Sequence, residues 1–301
     1  MSRSAVLAVL SLLTAASASA GTVSAPVVGG SMVPPGKWPD AVAILGPQGS
    51  CTGTLIAPDV VLTAGHCTGI NPTEIVANTT NYNGSGGQRV KIESITAYPN
   101  FKEKFDVAVI VLVAPVTGVA PRAVAGHCTF SGFAEDTMVH LVGFGLTATD
   151  GGGTNTSLRE AMAPVLDATC SSGNGCRDAA LPQGEFVAGG AGGDSCFGDS
   201  GGPVYLDTPR GPVLVAAVSR GLDDSATPCG GGGIYVRADK VLAWIEQTTG
   251  RDVAKDCPDE VAADASSGAT GGCSSGGGGA SAALILLAIG SLSFARRRRV
   301  R

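Results

Sequence analysis

Apolar residues fall along this chain in short runs broken by Gly, Pro, Asn and Asp. Seven runs of three to seven residues are rich in Val, Ile, Leu and Thr: 41–45, 54–56, 60–63, 107–113, 138–142, 204–206 and 213–219. Runs of that length with turn formers between them predict β-strands, and their number and spacing predict an all-β barrel or sandwich. The stretch from Val27 to about Gly250 is too long for one small barrel and suits two packed side by side. A helical pattern is clear only over Lys240 to Thr249, closed by Gly250.

The two ends break this pattern. Arg3, an apolar run from Ala5 to Ala16 and the Ala18-Ser19-Ala20 site predict a secretory signal over residues 1–20, leaving a short propeptide at 21–26. Residues 251–272 are acidic, rich in Ala and Ser and without apolar period, and predict a stalk. From Cys273 to Arg301, an apolar run over 280–295 ends in Arg296 to Arg299, the pattern of membrane passage with a positive stop. This tail resembles the Cys-containing C-terminal sorting signals of myxobacterial surface proteins, the MYXO-CTERM type. The resemblance implies processing near Cys273 and attachment to the membrane or cell surface.

Composition then narrows the chemistry. Nine cysteines in an exported chain predict disulfides with one thiol left over, and no Cys-x-x-Cys pair or His-rich cluster argues for a metal. The formal charge of −5 becomes −11 once Arg3 and the five tail arginines are set aside. An acidic body argues against nucleic acid as a partner and mildly favours cationic substrates.

The candidate chemistry centres on Cys196-Phe197-Gly198-Asp199-Ser200-Gly201-Gly202-Pro203. A serine among glycines can occupy a sharp turn that exposes its hydroxyl and lets backbone N–H groups converge. Upstream, Thr63-Ala64-Gly65-His66-Cys67 supplies a histidine, and Asp106 opens the run Val107 to Val113. His, Asp and Ser in that chain order are the elements of nucleophilic acyl transfer. An esterase of the α/β-hydrolase type needs its serine first and alternating helices, and this chain has neither.

Together with Val27-Val28-Gly29-Gly30 and Gly143-Phe144-Gly145, these motifs resemble the trypsin-like branch of the chymotrypsin family of serine endopeptidases over nearly all of residues 27–250. The resemblance implies two six-stranded Greek-key β-barrels with a short C-terminal helix and the site in the cleft between them. It implies Ser200 as nucleophile, His66 as general base, Asp106 as its orienting carboxylate, and an oxyanion hole from the N–H groups of Gly198 and Ser200. No cofactor is implied, and the partners are protein or peptide substrates. Asp194 takes the position of a specificity-pocket floor that receives Arg or Lys, with Ser219, Gly221 and Gly233 along its wall. Val27 would become the new amino terminus after cleavage of the precursor and pair with Asp199.

The same pattern pairs Cys51 with Cys67 and Cys196 with Cys229. Cys170 departs from it, since Val187 stands where its usual partner would lie, and a local loop closed by Cys176 is expected instead. Cys128 is then left with Cys257 by elimination, a pairing that the sequence does not fix, and Cys273 belongs to the tail. Two further departures carry consequences. Pro26 precedes Val27 where such precursors have Arg or Lys, so a separate activating protease is implied. Arg220 replaces an aromatic residue lining the cleft, and folded inward it would neutralise Asp194. A catalytically inactive binding or adhesion module on the same fold is the alternative function.

Overall fold

The computed structural model describes residues 27–171, 175–180, 183–190, 192–223 and 225–257. The signal, propeptide and sorting tail expected from the sequence lie outside these residues. The chain divides into two units, Met1–Asp259 and Glu260–Arg301. All of the architecture that follows belongs to the first.

Among the described residues, thirteen strands form in chain order: β1 (Ser31–Met32), β2 (Ala41–Gly46), β3 (Gly49–Ala57), β4 (Val60–Thr63), β5 (Glu74–Ala77), β6 (Gln88–Ala97), β7 (Ala108–Leu112), β8 (Met138–Gly143), β9 (Arg159–Asp167), β10 (Glu185–Ala188), β11 (Pro203–Leu206), β12 (Val213–Gly221) and β13 (Gly233–Arg237). Strands β2-β3-β4-β7-β6-β5 close into one antiparallel barrel. In the second sheet the order is β1-β9-β10-β13-β12-β11-β8, and pairing of β8 with β9 closes six of its strands into another barrel, leaving β1 as a short addition. The two-barrel, chymotrypsin-like fold expected from the resemblance is therefore present.

Each barrel is filled by the inward faces of its own strands. Val42, Ile44, Leu55, Val61, Ile75 and Ile110 pack in the first; Val139, Leu141, Val165, Phe186, Val204 and Tyr235 pack in the second. A third cluster, with Trp38, Leu62, Val109, Phe144, Tyr205 and Ile245, joins the two. Burial of such aliphatic and aromatic side chains contributes about 1.5 to 3 kcal/mol each. This interior fixes the strand ends that carry the site.

Helix α1 (His127–Phe130) is a single turn, and α2 (Leu242–Thr249) ends as the sequence predicts, with Gly250 at φ 65° donating its N–H to Glu246. The chain beyond α2 departs from the expected stalk. Val253 and Cys257 are buried, the Val124 N–H donates to Ala254, and the Asp256 N–H returns to Val124. Residues 251–257 thus form a strap on the second barrel. Their apolar anchors are too few to show a period, so the sequence pattern missed the attachment.

Candidate active site

Strands β4 and β7 run antiparallel with Thr63 opposite Ala108, so the end of one and the start of the other share one rim of the first barrel. That register brings His66 to Asp106. The His66 backbone N–H donates to Asp106 Oδ1 at 2.9 Å, and His66 Nδ1 lies 2.8 Å from Oδ2. From β12 of the second barrel, Ser219 Oγ donates to the same Oδ2 at 2.7 Å. Burial opposes ionisation of Asp106, yet the hydrogen bonds and charge of His66 and the Ser219 bond outweigh it, holding Asp106 below the usual carboxylate range. Ser219, expected only as a pocket wall, also fixes this carboxylate.

The serine loop is tied to the first barrel through Thr52. The Thr52 N–H donates to the Ser200 carbonyl at 2.9 Å, and its Oγ1 donates to the Gly198 carbonyl at 2.7 Å. The Phe197 carbonyl accepts from Leu146 N–H, and the Asp199 carbonyl accepts from Gly202 N–H, both at 2.7 Å. Because a trans peptide places N–H opposite C=O, the N–H groups of Gly198 and Ser200 point away from those partners. Neither donates to a protein acceptor among the described residues. Gly198 has φ 96°, and a Cβ there would meet Gly145 Cα at 3.0 Å, so glycine is required on both counts.

His66, Asp106 and Ser200 line one cleft of about 780 Å³, together with Ser195, Cys196, Val218, Ser219 and Gly221. With Nδ1 committed to Asp106, His66 has Nε2 left for proton exchange, and its side chain is 42% exposed toward the cleft. Four disulfides brace the region and the body: Cys51–Cys67, Cys128–Cys257, Cys170–Cys176 and Cys196–Cys229. The first holds the histidine turn, and the last holds the serine loop.

A family model for trypsin matches residues 27–245. The chain belongs to the trypsin family. It is 34% identical to human Serine protease 56 over 265 residues, 80% of this chain and 43% of that protein. It is also 34% identical to a trypsin of Saccharopolyspora erythraea over 226 residues, 70% of this chain and 92% of the relative. Bovine coagulation factor XII is 29% identical over 247 residues, covering 74% of this chain and 40% of that protein. The chain thus spans less than half of Serine protease 56 and most of the bacterial trypsin.

Among the residues carried over from the trypsin family's motifs, Ser219 and Gly221 line the cleft, whereas Asp194 and Gly233 lie behind the lining. Asp194 is buried and accepts hydrogen bonds from the N–H groups of Ser195, Gly230 and Gly232 and from the Tyr235 hydroxyl. Burial nevertheless raises it above the usual range. A Cβ at Gly233 would sit 3.0 Å from the Tyr235 hydroxyl and 3.2 Å from Ser195 Oγ, while one at Gly221 would reach only the Pro228 carbonyl at 3.8 Å. Gly221 therefore keeps the wall open, and Gly233 permits the packing beneath it.

Arg220 does not neutralise Asp194. Its guanidinium makes two hydrogen bonds to the Glu185 carboxylate, at 2.8 and 2.9 Å, and others to the Gly175 carbonyl and Ser219 Oγ. Glu185 is fully buried on β10, on the face opposite the core residues Phe186 and Ala188, where an unpaired carboxylate would be costly. The pair holds Arg220 against the wall, away from the floor.

Asp199 points into the body. Its carboxylate accepts from the N–H groups of Gly145 at 2.7 Å and Cys196 at 2.9 Å. In the uncleaved chain, complete burial pushes it up to about 7. The Val27–Gly30 turn is already seated: Val27 is buried in the second barrel's core, and the Asp194 N–H donates to the Val28 carbonyl. Gly29 has φ 82°, and a Cβ would collide with the Gly192 carbonyl.

Proposed function

We propose that this chain is an exported serine endopeptidase working through a covalent acyl-enzyme. The observation that carries the reading is that Ser200 shares one open cleft with a histidine oriented by a buried carboxylate, while the N–H groups of Gly198 and Ser200 donate to no acceptor among the described residues. Ser200 Oγ attacks the peptide carbonyl while His66 Nε2 takes its proton. The oxygen acquires negative charge and is held by the Gly198 and Ser200 N–H groups, an interaction worth about 3 kcal/mol of barrier per donor. Collapse of this intermediate breaks the C–N bond, and the imidazolium delivers its proton to the leaving amine. Water, deprotonated by His66, then attacks the ester, and Ser200 recovers its proton as the acid product leaves. Asp106 keeps the imidazole in one tautomer and stabilises its charged form.

Activation is the proposed role of Val27 and Asp199. Val27 has φ 42° in the uncleaved chain, a left-handed conformation that a β-branched residue rarely adopts. Cutting the bond after Pro26 removes that restraint and supplies an ammonium group for the buried carboxylate. A separate protease able to cut after proline is the fitting activator.

Substrates with Arg or Lys before the bond cut are the proposed preference. Asp194, fixed beneath Ser195 and raised by burial, gains most from a cationic partner, and Arg220 is held elsewhere. Cleavage of a mixed peptide library by the activated protein tests this: basic residues should precede most cuts and lose that dominance in Asp194→Ser. Equal cleavage after leucine or alanine would refute it. Export and surface attachment rest on the sequence of the two ends, and no helix among the described residues is long and apolar enough to cross a membrane.

A further inference from the structure

One wall of the cleft is basic although the body is acidic. Lys102, Arg177 and Arg220 all line it. The carboxylates facing this wall are committed: Glu185 to Arg220 and to the Arg177 backbone N–H, and Asp106 to His66 and Ser219. Glu103 and Asp223 are exposed and stand outside the cleft lining. Arg220 spends its donors on Glu185, Gly175 and Ser219, which makes it a fixed cationic platform.

Arg177 differs from Arg220. Its Nη1 donates to the carbonyls of Phe101 and Lys104, which anchors the side chain, while its Nε and Nη2 donate to nothing among the described residues. Burial, and then the neighbouring Arg220 guanidinium, push it below the usual range by more than the carboxylates of Asp106, Glu185 and Glu103 restore. Lys102 is exposed and makes no ion pair among the described residues. Two cationic groups with donors to spare therefore face the cleft beside Arg220, the position at which the resemblance to the trypsin-like branch implies an aromatic residue lining the cleft ahead of the residue cut.

We propose that Arg177 and Lys102 form an anion-recognising subsite, which selects peptides carrying Asp or Glu two to four residues before the cut bond. The subsite rests on the endopeptidase reading and refines its substrate class. The occupant is a carboxylate side chain, because Arg177 offers an Nε–Nη2 edge that suits two acceptor oxygens, with Lys102 supplying a mobile second charge. A lysine or arginine at the same place would meet like charge.

The test compares three peptide series that share one basic residue before the cut bond and carry Glu, Ala or Lys two, three or four residues upstream. The expected result is kcat/KM about tenfold higher for the best Glu peptide than for its Lys counterpart, shrinking as salt is added. Arg177→Gln should bring that ratio close to one, and Lys102→Glu, at an exposed position that does not threaten folding, should reverse it. Equal rates for all three series, or a ratio unmoved by both variants, would overturn the subsite while cleavage of the Ala peptides upheld the endopeptidase. Failure to cut any peptide would remove both.

Discussion

Asp199 makes the uncleaved chain sensitive to pH in a direction opposite to that of most carboxylates. It sits at about 7 rather than the usual 3.8. In that window the folded state keeps a proton that the unfolded state has lost, so its contribution to stability falls as pH rises from about 4 to about 7. At 1.36 kcal/mol per pH unit, the gap amounts to about 4 kcal/mol. The perturbation is cleavage after Pro26, compared in a Ser200→Ala background that prevents self-digestion. Urea denaturation from pH 4 to 8 would be run on the uncleaved protein, the cleaved protein and uncleaved Asp199→Asn. Relative to Asp199→Asn, the uncleaved protein should lose about 4 kcal/mol across the window. The cleaved protein should not, since its new ammonium group stabilises the charged carboxylate. Parallel pH profiles for the uncleaved protein and its Asn variant would refute the reasoning, as would an equally steep loss after cleavage.

Other parts of the site and fold give separate outcomes. Glu185→Ala removes the wholly buried partner of Arg220, which is itself 22% exposed, and should lower stability by about 2 to 3 kcal/mol in urea denaturation. Gly198→Ala places a Cβ 3.0 Å from Gly145 Cα at φ 96°, shifting one oxyanion donor, and steady-state kinetics should show kcat down about a hundredfold with KM little changed. Ending the chain at Arg251 removes Val253 and the Cys128–Cys257 bridge, which spans 129 residues, and should cost about 3 to 5 kcal/mol.

The strands that carry His66 and Asp106 were legible because 60–63 and 107–113 are continuous apolar runs in the heart of the first barrel. Strand β6 was not, since six of its ten residues from Gln88 to Ala97 are polar or charged and only Val90 is buried. Strand β10 is four residues long and starts on a charged residue, Glu185, whose partner Arg220 lies 35 positions away. No local pattern announces such a pair, and it is what keeps Arg220 from Asp194. Of the strap at 251–257 only the Cys128–Cys257 bridge was anticipated, by elimination; the rest was missed for a related reason. Its attachment depends on one disulfide and a few backbone bonds made to residues far earlier in the chain. The catalytic motifs were legible because their glycines encode backbone geometry directly: Gly198 at φ 96° and Gly201 at φ 76° are required by the turn that presents Ser200.

The central claim is that Ser200, activated by His66, is a nucleophile. The direct measurement is the mass and position of the adduct formed when the cleaved protein meets an organofluorophosphate. The account predicts a single adduct on the peptide containing Ser200, appearing together with loss of peptidase activity and absent in Ser200→Ala and His66→Ala. A cleaved protein that hydrolyses peptides yet carries no adduct on Ser200, or a Ser200→Ala variant that retains activity, would contradict it.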